Sequence, residues 1–400
     1  LVGLIAVGLY VNFVIVPVTP PLFVPTPTAT RSVQSYITEA QSLSGEGKFV
    51  QAIDAYKVAI QINPKDATIY VAMAQLEIYT GNFDAAIEHA GNALVISDTN
   101  ALAYAVRGYA LGNQGNWLEA SAALKKAMDL EPSNAIPFAY YTEVLLMEID
   151  AGEDQPGTLD DAIAASQTAV ELGPDLLETH RARGLLLEAT QNYEEAVAEF
   201  EAAIKINPNI ADLHLALGRN YRALSLLDQA VEEFNRAYSL NPTDPMPNLL
   251  ISRTWATIGE YSRAVQAART ALKDAPTDPY MYGNLGVMLY RNKQYEEALP
   301  MLRLAVRGGV TDNSTEITGL PLNYGRVAEY YYVYGLAQAR VGDCGEVLQV
   351  ARLLRQGVPD DTVATDNADA MELICEERAN GTATPTPTTT AKNAETTPTP

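Results

Sequence analysis

The stretch Leu177–Ile210, LETHRARGLLLEATQNYEEAVAEFEAAIKINPNI, is 34 residues long and reads as two short helices joined by a turn at Gln191–Asn192. Gly184 and Ala196 are small and fall where the two helices must approach closely. Tyr193, Phe200 and Ala203 supply an apolar stripe at helical spacing, and Asn207–Pro208 stops the second helix. The stop recurs along the chain at Pro64, Asp98, Pro132, Pro174, Pro208, Pro242, Pro276, Val310 and Pro359. The interval is 34 residues everywhere except 42 before Pro174 and 49 before Pro359. The surplus residues read as loops, one over 149–156 between paired helices and one over 313–327 between the eighth and ninth units.

Counting Leu177 as place one, the other units fall into the same register. Place four is mostly aromatic (Tyr36, Tyr70, Tyr104, Phe138, Tyr282, Tyr331), with His180, His214 and Asn248 in the same column. Place eight is Gly or Ala in most units, and place twenty is alanine from Ala52 to Ala298 before Val347 ends the series. Small residues at those two places let a helix pair cross closely, while the aromatics fill the gap to the next unit. The units resemble tetratricopeptide repeats, helix–turn–helix modules of this length. The resemblance implies an all-α, right-handed superhelical solenoid of about nine repeats over 33–361, closed by a capping helix over 362–380.

The ends differ from the array. The opening run LVGLIAVGLYVNFVIV carries no charge. Its 16 residues would reach roughly 24 Å as a helix, short of a hydrocarbon core of about 30 Å. Because the chain begins at Leu1 rather than Met, upstream residues could complete the span. The expectation is a single-pass membrane anchor over 1–16, with the array outside the cytoplasm and a cleaved signal peptide as the rival reading. Residues 17–32 read as a Pro/Thr-rich linker and 381–400 as a Thr/Pro-rich tail that cannot bury a core.

Composition narrows the function classes. Net charge is −22, from 49 acidic against 27 basic residues, which excludes nucleic acid as the main partner. No zinc-protease, paired-cysteine or nucleophile-elbow motif occurs, so neither metal nor cofactor is expected and the chain reads as non-catalytic. His180 and His214 belong to the packing column, and His89 reads as exposed on a second helix. The Gly45–Lys48 run lacks the earlier Gly and the Ser/Thr of a phosphate loop. The acidic pairs Glu194–Glu195 and Glu296–Glu297 open second helices, where the helix dipole favours them. Cys344 and Cys375 fall at the same end of the stack once the repeat frame is continued, so a disulfide between them is expected.

In the repeat family the inner face is lined by places two, five, nine, twelve and thirteen of the first helices. Carried onto the C-terminal half, the resemblance implies a partner-binding set of Arg181, Arg219, Arg222, Arg253, Tyr280, Tyr290, Arg291, Tyr332 and Arg340. The acids Glu178, Glu188, Asp212 and Glu329 fall on the same face. The Lys/Asn carboxylate clamp of chaperone-binding members is not matched, since Ile37, Gln41 and Val106 occupy its places. The expected function is a protein–protein interaction scaffold holding a peptide or protein segment with acidic residues in its concave groove at a membrane surface. The alternative is an accessory subunit presenting substrates to a separate enzyme of an envelope complex.

Overall fold

The computed structural model describes residues 2–15 and 31–381. Most of the expected linker, and the tail beyond Gly381, lie outside them. Among the described residues from Val33 onward there are nine helical hairpins and one last helix, Thr362–Ala379. The repeats start at Val33, Ala67, Ala101, Ala135, Leu177, Ala211, Met246, Pro279 and Arg326. The architecture is the stacked, nearly all-α solenoid that the register implied. One exception lies between repeats eight and nine, where Gly309–Val310 pairs antiparallel with Glu316–Ile317.

Local chemistry sets the helix ends. Asp66, Asn100, Asn134 and Asp278 precede first helices and accept hydrogen bonds from backbone N–H groups of the opening turn. Such caps contribute about 1 kcal/mol each. The turn inside each hairpin needs a left-handed residue at one fixed place. Glycine supplies it at Gly47, Gly81, Gly115 and Gly259, whereas Gln191, Ser225 and Lys293 adopt φ of 62°, 63° and 63° there. A side chain in that conformation costs roughly 1–2 kcal/mol, so packing on both sides of these turns must hold them.

Helix crossing explains the small-residue columns. A Cβ on Gly184 would come within 2.9 Å of the Phe200 ring, and one on Gly218 within 2.5 Å of Phe234. Both phenylalanines are fully buried, as is every place-twenty alanine from Ala52 to Ala298. The last helix turns Ala364, Ala368, Met371 and Cys375 inward on one face, and Met371 lies against Gly335 of repeat nine. Cys375 is bonded to Cys344, with their Cα atoms 5.7 Å apart. Arg355 holds both Asp369 and Glu372, and Arg378 donates to the Arg340 carbonyl at 2.8 Å, so the cap is tied at several points.

The array also meets itself. One core cluster joins Phe49 and Leu76 of the first two repeats to Leu177 and Leu213 of repeats five and six. Asn209 donates to the Gly45 carbonyl at 3.3 Å across 164 residues of sequence.

The expected membrane anchor is overturned. Val2–Tyr10 is a helix of nine residues, followed by a π-helical turn over Val11–Ile15, and none of the nine is buried. At about 1.5 Å per residue even the two together reach roughly 20 Å, well short of a bilayer core. No helix among the described residues is long and apolar enough to cross a membrane. A single-pass location at the cell membrane therefore has no support in this structure.

Candidate binding groove

The first helices of repeats two to five converge on one another. Arg181 of repeat five places its Nε 2.9 Å from Glu143 Oε1 of repeat four, both side chains being almost completely buried (7% and 1% exposed). Its guanidinium lies over the rings of Tyr109 and Tyr140, at 5.1 and 5.8 Å from their centroids. Tyr79 of repeat two donates its hydroxyl to Glu178 at 3.3 Å, reaching across 99 residues of sequence. Burial raises the pKa of the Tyr79 and Tyr109 hydroxyls, with Glu178 adding to the rise at Tyr79. Burial likewise pushes the Glu143 carboxyl up, opposed by Arg181 beside it. This half of the inner face is occupied by its own side chains.

Arg181 was expected in the partner-binding set. The structure removes it from solvent and gives it an internal carboxylate, so it cannot receive a partner without breaking that pair. Arg219 is half committed: its Nε and Nη2 lie 2.8 and 2.9 Å from the two Glu188 oxygens, a two-pronged pair between repeats six and five.

Repeats six to nine are arranged differently. Arg222, Arg253, Arg291 and Arg326 line one open pocket of about 430 Å³, together with Ser225, Thr257 and the apolar Leu227, Ala256 and Met288. Glu329 opens the first helix of repeat nine and takes Arg291 on Oε1 at 2.6 Å and Arg326 on Oε2. Arg222 has no carboxylate within ion-pair distance among the described residues. Arg253 donates to the Asn284 amide oxygen at 3.4 Å and also meets the Tyr330 hydroxyl, with no carboxylate within ion-pair distance among the described residues. Burial lowers the pKa of Arg222, and the cations Arg253, Arg326 and Arg219 lower it further, with the Glu188 carboxylate opposing them. A guanidinium destabilised by neighbouring cations in a chain of net charge −22 marks a local positive site.

The remaining expected residues lie around that pocket or beyond it. Tyr280 is 43% exposed and meets the Tyr330 ring edge-on at 6.4 Å. Arg340 lies over Tyr295 at 4.7 Å and donates to the Tyr290 hydroxyl at 3.0 Å, so these two satisfy each other. Tyr332 is half-buried, and burial raises its hydroxyl pKa before Glu329 adds to the shift.

Sequence reading missed Arg326. It precedes place one of its repeat, and only the early start of the ninth repeat's first helix after the long insertion brings it into the pocket. The three tyrosines closing the other half were also missed, because each looks like ordinary packing within its own repeat. His89, expected to be exposed, lies 2.8 Å through Nδ1 from the buried Glu77 carboxylate. His180 and His214 keep their packing place and also meet Glu199 and Glu233 at 2.6 Å.

Comparison with known proteins agrees with this geometry. Models described as tetratricopeptide repeat match residues 43–106, 156–209, 181–245 and 256–312, together more than half of the chain. This is a tetratricopeptide-repeat protein. Such repeat proteins are generally protein–protein interaction scaffolds and typically non-catalytic. The chain is 29% identical over 140 residues to small glutamine-rich tetratricopeptide repeat-containing protein 2 of Mycosarcoma maydis, covering 33% of this chain and 38% of that one. It is 33% identical over 98 residues to the TPR repeat-containing thioredoxin TDX of Arabidopsis thaliana, covering 24% of this chain and 26% of the relative. It thus spans well under half the length of either. Among solved structures it is similar to a chain of the APC/C Cut9–Hcn1 hetero-tetramer. The TM-score is 0.50 at 16% identity, covering 64% of this chain and 49% of that one, a likeness of fold alone.

Proposed function

We propose that the protein is a non-catalytic scaffold that holds an acidic peptide or protein segment in the groove of repeats six to nine. The observation carrying this reading is the pair Arg222 and Arg253, which line an open pocket without a carboxylate of their own. Leaving charged groups unpaired and partly desolvated is costly, so an anionic occupant is the natural complement. Tyr280 adds an exposed flat surface of the kind that anchors peptides. Arg291 contributes through the face it does not give to Glu329, Arg219 and Tyr332 lie near enough to act on the pocket arginines, and Tyr290 and Arg340, which satisfy each other, stand outside its lining.

The test is an array of extended peptides, acid-rich or neutral, probed with the intact protein and with R222A/R253A. Acid-rich peptides should be retained by the former and lost by the latter, with unchanged helicity. Retention that survives R222A/R253A would sink the assignment. A second reading makes the protein an accessory subunit presenting substrates to a separate enzyme. It draws on the Arabidopsis relative, whose name joins TPR repeats to a thioredoxin.

A further inference from the structure

The pocket holds a contrast that narrows the anion. Glu329 shows what one carboxylate does here: its two oxygens take Arg291 and Arg326, one each, so a single negative charge is shared between two cations. Four guanidiniums against one carboxylate still leave three positive charges around the pocket of about 430 Å³. They come from the first helices of four successive repeats, so their donors approach from several directions rather than in one plane. A second carboxylate would present two oxygens in one plane and cancel one charge. A phosphoryl group carries about −1.5 to −2 charges and three strong acceptor oxygens in a tetrahedral arrangement. Arginine forks suit those oxygens in paired hydrogen bonds. The Ser225 hydroxyl offers a further donor, the Thr257 hydroxyl already being given to the Arg253 carbonyl, and Leu227 and Met288 give the rest of a side chain an apolar wall.

We infer that the pocket formed by Arg222, Arg253, Arg291 and Arg326 recognises a phosphomonoester carried on the bound segment, in preference to a carboxylate. The inference rests on the groove reading above and specifies its ligand. Burial and neighbouring cations already strain the charge on Arg222, and a dianion relieves that strain where a monoanion does so only in part.

The experiment uses the whole chain and three bead-bound peptide libraries with random flanks and a fixed central phosphoserine, glutamate or serine. The phosphoserine library should retain about tenfold more protein than the glutamate library. Inorganic phosphate should compete where acetate at equal ionic strength does not. R222A/R253A should lose the preference while its helicity and melting stay those of the unaltered protein. Equal retention on phosphoserine and glutamate, both lost in R222A/R253A, overturns this inference and leaves the acidic-segment reading standing. Retention that persists in R222A/R253A, or none on any library, overturns both.

Discussion

Repeats two to five and repeats six to nine are built from the same hairpin, yet their inner faces have opposite characters. In the first set the face is sealed: Arg181 is buried on Glu143 between two tyrosine rings, and Tyr79 spans to Glu178. In the second the cations remain at an open pocket, and only Arg291 and Arg326 share a carboxylate. A repeat array contacts chiefly its neighbours, so its inner surface is free to be packed or left open locally. Here the first half uses polar side chains to hold the superhelix together. The second half leaves several of them at an open pocket.

The sharpest way to break this comparison is at the sealed half. R181M leaves Glu143 buried and unpaired, and should cost about 3–5 kcal/mol. R181M/E143M replaces both charges with apolar volume and should restore most of that loss, because buried ion pairs offset their own desolvation poorly. The buried, unpartnered Glu143 Oε2 and Arg181 Nη2 atoms point the same way. Urea denaturation of the three proteins decides it. A cost below about 1 kcal/mol for R181M would mean that the pair does not close the groove.

The second test belongs to the open half. Among the described residues it shows no hydrogen bond across the groove like that of Tyr79 with Glu178, so its outer end depends more on the cap. The Cys344–Cys375 bond closes a loop of 31 residues, and removing it as C344S/C375S should cost roughly 3–4 kcal/mol in the chain-entropy model. Hydrogen exchange should then accelerate over 344–379 and stay unchanged in repeats two to five. Uniform acceleration, or two free thiols in the native, non-reduced protein, would contradict the proposed division of labour.

These differences show what was legible in the chain. The hairpins, their number and the close crossings follow from the 34-residue register, because glycine and alanine columns meet large residues at fixed offsets, as Gly184 meets Phe200. The register says which side chains face inward, and Arg181, Arg219 and Arg222 do share that face. It does not say how tightly the superhelix winds, and winding is what brings Tyr79 to Glu178 and Asn209 to Gly45. Arg181 therefore looked like a free cation and is a buried one. Arg326 looked like loop and lines the pocket, since the insertion before repeat nine breaks the register there.

The smallest expected effect is a pH dependence confined to the sealed half. His89 lies against Glu77, whose carboxylate is 2% exposed, and near the Tyr70 ring at 6.4 Å. The hydrogen bond to Glu77 raises the histidine's pKa, with burial opposing and the charges of Glu77 and Glu88 adding to the rise. A pKa higher in the folded than in the unfolded chain means that folding favours the protonated ring. The stabilisation is therefore present in full below the ordinary histidine value of about 6.5. It fades as pH climbs through the raised value. H89N keeps a polar side chain but cannot titrate, so the stability difference between the unaltered protein and H89N should shrink from pH 6 towards pH 9. Taking the difference isolates His89 from His180 and His214. Repeats seven to nine contain no histidine, and their exchange protection should not follow this trend. A stability difference that stays flat with pH would show that the His89–Glu77 contact adds nothing to the fold.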